Sequence, residues 1–246
     1  MSANRVIDPR AAEKRRSLLI TFAAVMALVV IAAGVIIWAV NRGDSGSGGT
    51  AVPTTGVTTD NAIRISAAPA GSTPPVVITV TEDFQCPACK SFEELMGPTL
   101  NGFTDNPKVA VDYVTINMLD SMSSTEYSTR AANASMCVAE KTGKDGDFAT
   151  WMKFHNALFV SQPAEGGAGL SDSQIISIAK ESGVEGIDSC IKNVEYRNWI
   201  DDTSAKAMSQ PGFEGTPSVR INGDVVQLST PDDLQAKVDA ILEGAK

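Results

Sequence analysis

Residues 79–97, TVTEDFQCPACKSFEELMG, set two cysteines, Cys86 and Cys89, one helical turn apart between a β-branched run and a helix-forming segment. The run before them, residues 76–81, predicts a strand. Pro87 suits the first helical position, where no N–H is needed. Cys86 then falls at the cap, beside free N–H groups and the positive end of the helix dipole, which favour an anion by about 0.3–1 kcal/mol. Only a thiolate attacks a disulfide, so this is where a reactive sulfur gains most. Cys89 lies one turn deeper, close enough to bond with it. The residues predict a redox pair with Cys86 as the attacking sulfur. A zinc knuckle would need a second Cys/His pair at short spacing, and His155 is the chain's only histidine. A structural disulfide without chemistry is the other competing reading.

The 246 residues leave room for a membrane segment, a linker and one globular unit. Residues 17–40 carry no charge. As a helix they would extend about 36 Å, against a hydrocarbon core of about 30 Å, so they predict a tilted transmembrane anchor. Arg5, Arg10, Lys14, Arg15 and Arg16 precede this run and only Arg42 follows closely. The charge asymmetry assigns residues 1–16 to the cytoplasm and everything beyond the anchor to the outside. A cleaved signal peptide is the alternative, but its apolar part is shorter, about 7–15 residues. The net charge of −9 argues against a nucleic-acid partner. Four cysteines in an exported domain fit an oxidising compartment.

Residues 41–60 are rich in Gly, Ser and Thr and read as a flexible linker. The domain at 61–246 opens with a short strand over 62–67, then the strand at 76–81, the helix after Cys86 and a strand over 109–116. From about 123 to 210 the pattern turns helical. Helices are expected over 126–141, over 147–160 with an apolar face, from the capping box at Ser171–Gln174 to Ser182, and over 188–208. Strands return at 218–221 and 225–228 around the Asn222-Gly223 turn, and a helix capped by Thr230 closes the chain over 231–242. The order β-α-β, helical block, β-β-α matches an α/β thioredoxin fold split by a helical insertion.

Three stretches together resemble DsbA-type thiol–disulfide oxidoreductases of the thioredoxin-fold superfamily. They are DFQCPACKSF at 83–92, FHNALF at 154–159, and Gly215-Thr216-Pro217 ahead of SVRING. The resemblance covers roughly residues 70–243. It implies electron exchange with exported proteins, Cys86 as nucleophile, Cys89 as resolving sulfur, and Pro217 as a cis-proline lying against both. A cis bond there, accessible because X–Pro costs only about 0.5–1 kcal/mol, would turn Thr216 toward the sulfurs. It also implies exported proteins with reduced cysteines as partners and a quinone-linked membrane oxidase, DsbB-like or vitamin-K-epoxide-reductase-like, as reoxidant. No bound cofactor and no metal are expected.

Departures from the family pattern matter. Ala88 stands where the best-studied oxidants have histidine, and Thr216 where oxidases commonly have valine. The acid that many relatives place in the preceding strand falls at Val80; Glu82 lies two residues on and reads as a solvated turn carboxylate, with proton shuttling as the sharper role. Cys137 and Cys190 are expected to form a structural disulfide within the insertion, buried free thiols being the alternative. His155 is expected as a hydrogen-bonded core residue, and Met118 and Met122 as core rather than a substrate groove. The expected activity is disulfide donation. An isomerase or reductant, such as one serving cytochrome maturation, is the runner-up, and a redox-inert surface scaffold is the reading from another class.

Overall fold

The computed structural model describes residues 49–69 and 71–244. The expected tail at 1–16, the anchor at 17–40 and the first part of the linker lie outside them. No helix among the described residues is long and apolar enough to cross a membrane.

Five strands form one sheet in the order β1-β3-β2-β4-β5: β1 Ile63–Ile65, β2 Val76–Glu82, β3 Val109–Thr115, β4 Ser218–Ile221 and β5 Asp224–Val225. Only β2 and β3 run parallel; Val80 lies opposite Tyr113 on one side and Val219 on the other. A parallel pair needs a crossover, and helix α1, Pro87–Phe103, supplies it. All seven residues of β3 are buried, as expected for a central strand covered on both faces. Helix α1 buries Cys89, Glu93, Met96, Leu100 and Phe103, a 4-3-4-3 spacing that keeps one face on the core.

The insertion holds α2 Tyr127–Thr142, α3 Ala149–Val160, α4 Asp172–Glu181, α5 Asp188–Lys192 and α6 Arg197–Met208. Helix α2 is buried on nearly all sides, because Ala131, Ala132, Ala134 and Ala139 let its neighbours approach closely. Helix α3 packs on α1, and α6 packs on β3, tying the insertion to the sheet. The capping box at Ser171 and Gln174 forms in both directions. Helix α7, Pro231–Gly244, closes the domain, with the Asp233 amide donating to Thr230 Oγ1 at 3.2 Å.

Three expectations need correction. The single helix over 188–208 is two helices, α5 and α6, separated at residues 193–196 with Val194 at φ 46°. Tertiary hydrogen bonds hold that break: Asn133 donates to the Cys190 carbonyl at 3.1 Å and accepts from the Tyr196 amide at 2.9 Å. The strand over 225–228 is shorter: β5 ends at Val225 with one further bond from the Val226 amide to the Val219 carbonyl at 2.9 Å, beyond a turn in which Asn222 and Gly223 both have positive φ, 52° and 91°. The linker does not run free to residue 60. The Gly49 and Ala51 amides donate to the Val194 and Glu195 carbonyls at 3.0 Å each. Glu140 accepts from the Thr54 and Thr55 amides at 2.6 Å each, so residues 49–55 form a strap on the insertion.

Candidate active site

Strand β2 delivers the chain to α1 through a tight turn. The buried Asp83 carboxylate accepts from the Gln85 amide at 2.8 Å and the Leu119 amide at 2.9 Å, and the Cys86 amide donates to the Asp83 carbonyl at 2.9 Å. Gln162, from just past α3, donates to the Phe84 and Cys86 carbonyls at 3.0 and 2.9 Å. These hydrogen bonds brace the turn and its cap.

Cys86 is the N-cap of α1 in extended conformation, with Pro87 following and its Sγ accepting from the Cys89 amide at 3.4 Å. The Thr216–Pro217 bond is cis, and the Cys86 thiol donates to the Thr216 carbonyl at 3.3 Å. Both Cys86 and Cys89 are free thiols. Their acidities diverge. The hydrogen bond from Cys89 pulls Cys86 down to about 6 against the cost of burial, and the Thr216 side chain and the amides of Cys89 and Ala88 help. The buried Thr216 hydroxyl has no partner in the thiol form, so it is free to donate to a thiolate. Burial pushes Cys89 far above its ordinary value, with Cys86 and the charge of Glu82 adding to the rise. One sulfur is a ready nucleophile and the other keeps its proton.

Behind Cys89 lies an ionisable cluster. The expected turn carboxylate is not solvated: β2 continues through Glu82, which pairs with Thr115 and is fully buried. His155 is a buried core residue as expected, but it also belongs to the site. Its Nε2 sits 2.5 Å from Glu82 Oε1, and its ring packs among Phe84, Tyr113, Trp151 and Phe159. Burial alone would lower the His155 pKa; Glu82, then Glu93, outweigh it and raise it. Burial first, then Glu82, raises Glu93, while His155 opposes. Donor atoms of Glu82, Glu93 and His155 lie within 4.8 Å of one another, a spacing that could hold a metal ion. The His155 nitrogen that faces the carboxylates is already occupied by Glu82, so the arrangement reads more simply as an ion pair with a protonatable neighbour.

Cys137 and Cys190, 53 residues apart, are bonded and join α2 to α5. Met118 packs in a small cluster with Val114 and Ile116, while Met122 is 46% exposed and not core. Beside Pro217 a cavity of about 330 Å³ is walled by Phe92, Gly215, Val226 and Leu228 among others. Sequence reasoning missed Glu93, Asp83 and Gln162. Glu93 alone carried a local signal, since it falls four residues after Cys89 on the apolar face of α1.

A family described as Thioredoxin matches residues 71–240. DsbA from Mycobacterium tuberculosis in its reduced form is 35% identical with a TM-score of 0.64, over 74% of this chain and 92% of that one. The reduced disulfide bond oxidoreductase DsbG from the same organism is 35% identical with a TM-score of 0.66, over 76% and 89%. The serine/threonine-protein kinase PknE of M. tuberculosis is 32% identical over 168 residues, 65% of this chain; the chain spans only 29% of that curated relative's length.

Proposed function

The chain belongs to the thioredoxin family, as a thiol–disulfide oxidoreductase of DsbA-like fold, and from that premise we propose that it donates the Cys86–Cys89 disulfide to exported proteins. The observation that carries the reading is the split between the two sulfurs, Cys86 acidic and Cys89 not. In the oxidised protein a substrate thiolate attacks Cys86 Sγ. A substrate–Cys86 bond forms, the Cys86–Cys89 bond breaks, and Cys89 leaves with the electron pair and takes up a proton. A second substrate thiolate attacks the first substrate sulfur, closing the substrate disulfide and releasing Cys86 as a stabilised thiolate. The easier that release, the more strongly the reduced enzyme is favoured and the better the oxidised one donates. Thr216, two residues ahead of β4, would hydrogen-bond an extended substrate segment, with the cavity beside Pro217 for its side chains.

Glu82, whose charge raises the Cys89 pKa, is the group we assign to exchange the Cys89 proton. A membrane anchor at 17–40, an extracytoplasmic domain and a quinone-linked membrane oxidase complete the proposal, supported by the charge pattern and the family resemblance. An isomerase or reductant role is the second reading. The threonine before the cis-proline, familiar in isomerase relatives, favours it, and Ala88 stands where a thiolate-stabilising histidine would be. Each pKa unit so lost is worth about 1.36 kcal/mol, or roughly 30 mV. An inert scaffold is disfavoured by free Cys86 and Cys89 beside a cis-proline. The test compares oxidation of a reduced two-disulfide substrate with refolding of a scrambled one. Stoichiometric oxidation is expected. Efficient unscrambling with negligible oxidation would establish the second reading instead.

A further inference from the structure

The cavity beside Pro217, where a substrate segment would meet the site, has walls that are not neutral. Phe92 of α1 and Val225, Val226 and Leu228 in and after β5 give it an apolar lining. Glu214 is the one charged residue among the described residues that wall it. Its side chain is exposed and takes part in none of the salt bridges among the described residues.

We propose that Glu214 is a specificity-determining residue, selecting substrate segments that carry a basic side chain within two or three residues of the reacting cysteine. The preference rests on the disulfide-donor reading and names the substrate class of that same site. Three observations carry it. Glu214 lies two residues before Thr216, whose carbonyl accepts from the Cys86 thiol at 3.3 Å. Two residues span at most about 7 Å of chain, so this carboxylate stands close to where the substrate sulfur must arrive. The apolar walls suit the methylene stem of an arginine or lysine, whose charged head then meets Glu214 at the rim.

The third observation is that no cation balances Glu214 within the cavity. Arg220, the nearest basic residue in sequence, donates to the Gly223 and Pro211 carbonyls at 2.9 and 2.6 Å and lines a different cavity with Thr79 and Thr81. Lys90, the only cation of α1, lines a separate one with Asn156 and Val160. An acid at the rim of an otherwise uncharged groove attracts a cation and repels an anion. At an exposed position it acts mainly on the rate of encounter and weakens with salt. The net charge of −9 favours any basic substrate in the same direction, so a local effect has to be told apart from the overall field.

Reduced peptides of one sequence, each with two cysteines, carry Arg, Gln or Glu two residues to either side of each cysteine. The oxidised full-length protein is mixed with each at low salt, and the second-order rate of peptide oxidation is measured. Wild type is compared with Glu214→Gln, Glu214→Lys and Glu185→Lys. Glu185 is exposed in the insertion, outside the cavity, and its change alters the net charge as Glu214→Lys does. Wild type is expected to oxidise the Arg peptide about two- to fivefold faster than the Gln peptide, the range of one exposed ion pair, and the Glu peptide slowest. Glu214→Gln should shrink these differences, Glu214→Lys should reverse the order, and Glu185→Lys should keep it. Salt at about 0.5 M should close the gap in wild type. The ratio of rates is the readout, since a change in Cys86 itself would act on all three peptides alike. Equal rates in wild type, an order that survives Glu214→Lys, or one that Glu185→Lys reverses as fully would overturn the preference while leaving the donor reading intact. A wild type that oxidises none of the peptides would overturn both.

Discussion

The double substitution Cys137→Ala/Cys190→Ala is expected to lower the unfolding free energy of the domain by about 4 kcal/mol and its Tm by about 8–16 °C. The bond closes a loop of 53 residues, so its loss returns a large loop entropy to the unfolded chain. The folded state loses as well. Helix α5 has only five residues, Asp188–Lys192, too few to persist alone, and the bond is what pins it to α2. The break after α5 also receives the strap at Gly49 and Ala51, so loosening it should free that strap too. Thermal and urea unfolding of the oxidised variant would measure the loss. A change below about 1 kcal/mol would mean that Asn133 and the apolar contacts already hold α5 without the bond.

A second large effect should appear as a pH-dependent divergence between the two redox forms. Folding lowers the Cys86 pKa to about 6, from about 8.5 in an unfolded chain. A lowered pKa adds stability that is complete above the unfolded value and is lost as pH falls through the folded one. The reduced protein should therefore gain stability over the oxidised one as pH rises from 6 to about 8.5. The slope is bounded by about 1.4 kcal/mol per pH unit, the limit for one proton. His155 runs the other way: its raised pKa contributes stability that is full at low pH and lost as pH rises through the folded value. It is present in both redox forms, so it drops out of their difference to first order. Urea unfolding of the two forms across this range, with Cys137–Cys190 intact, checks the sign. A difference that is flat or falls with pH would refute it.

The active-site turn was legible because its signals are local. Strand, cysteine cap, proline at the first helical position and helix follow one another within residues 76–103 and are observed in that order. The capping box at Ser171 and the Asn222-Gly223 turn are local too. What escaped depends on contacts between distant residues. Glu82 reads as a turn residue until pairing with β3 makes it the last residue of β2, and its partner His155 comes 73 residues later from another part of the fold. The split between α5 and α6 has no Gly or Pro to announce it, since the side chain that holds it, Asn133, lies in α2. The strap at 49–55 has the composition of a free linker, and only Glu140 and the α5–α6 break show why it stays in place. Glu93 was the exception, a charged residue on an apolar helix face.

The central claim is that the fold makes one active sulfur of two. Thiolate absorbance of the reduced protein against pH, with Cys137–Cys190 still bonded, tests it most directly. The account predicts a single one-thiol step centred near pH 6, assigned to Cys86 by its persistence in Cys89→Ser, and no second step up to pH 10. Two thiols titrating together, or a single step near pH 8–9, would contradict it.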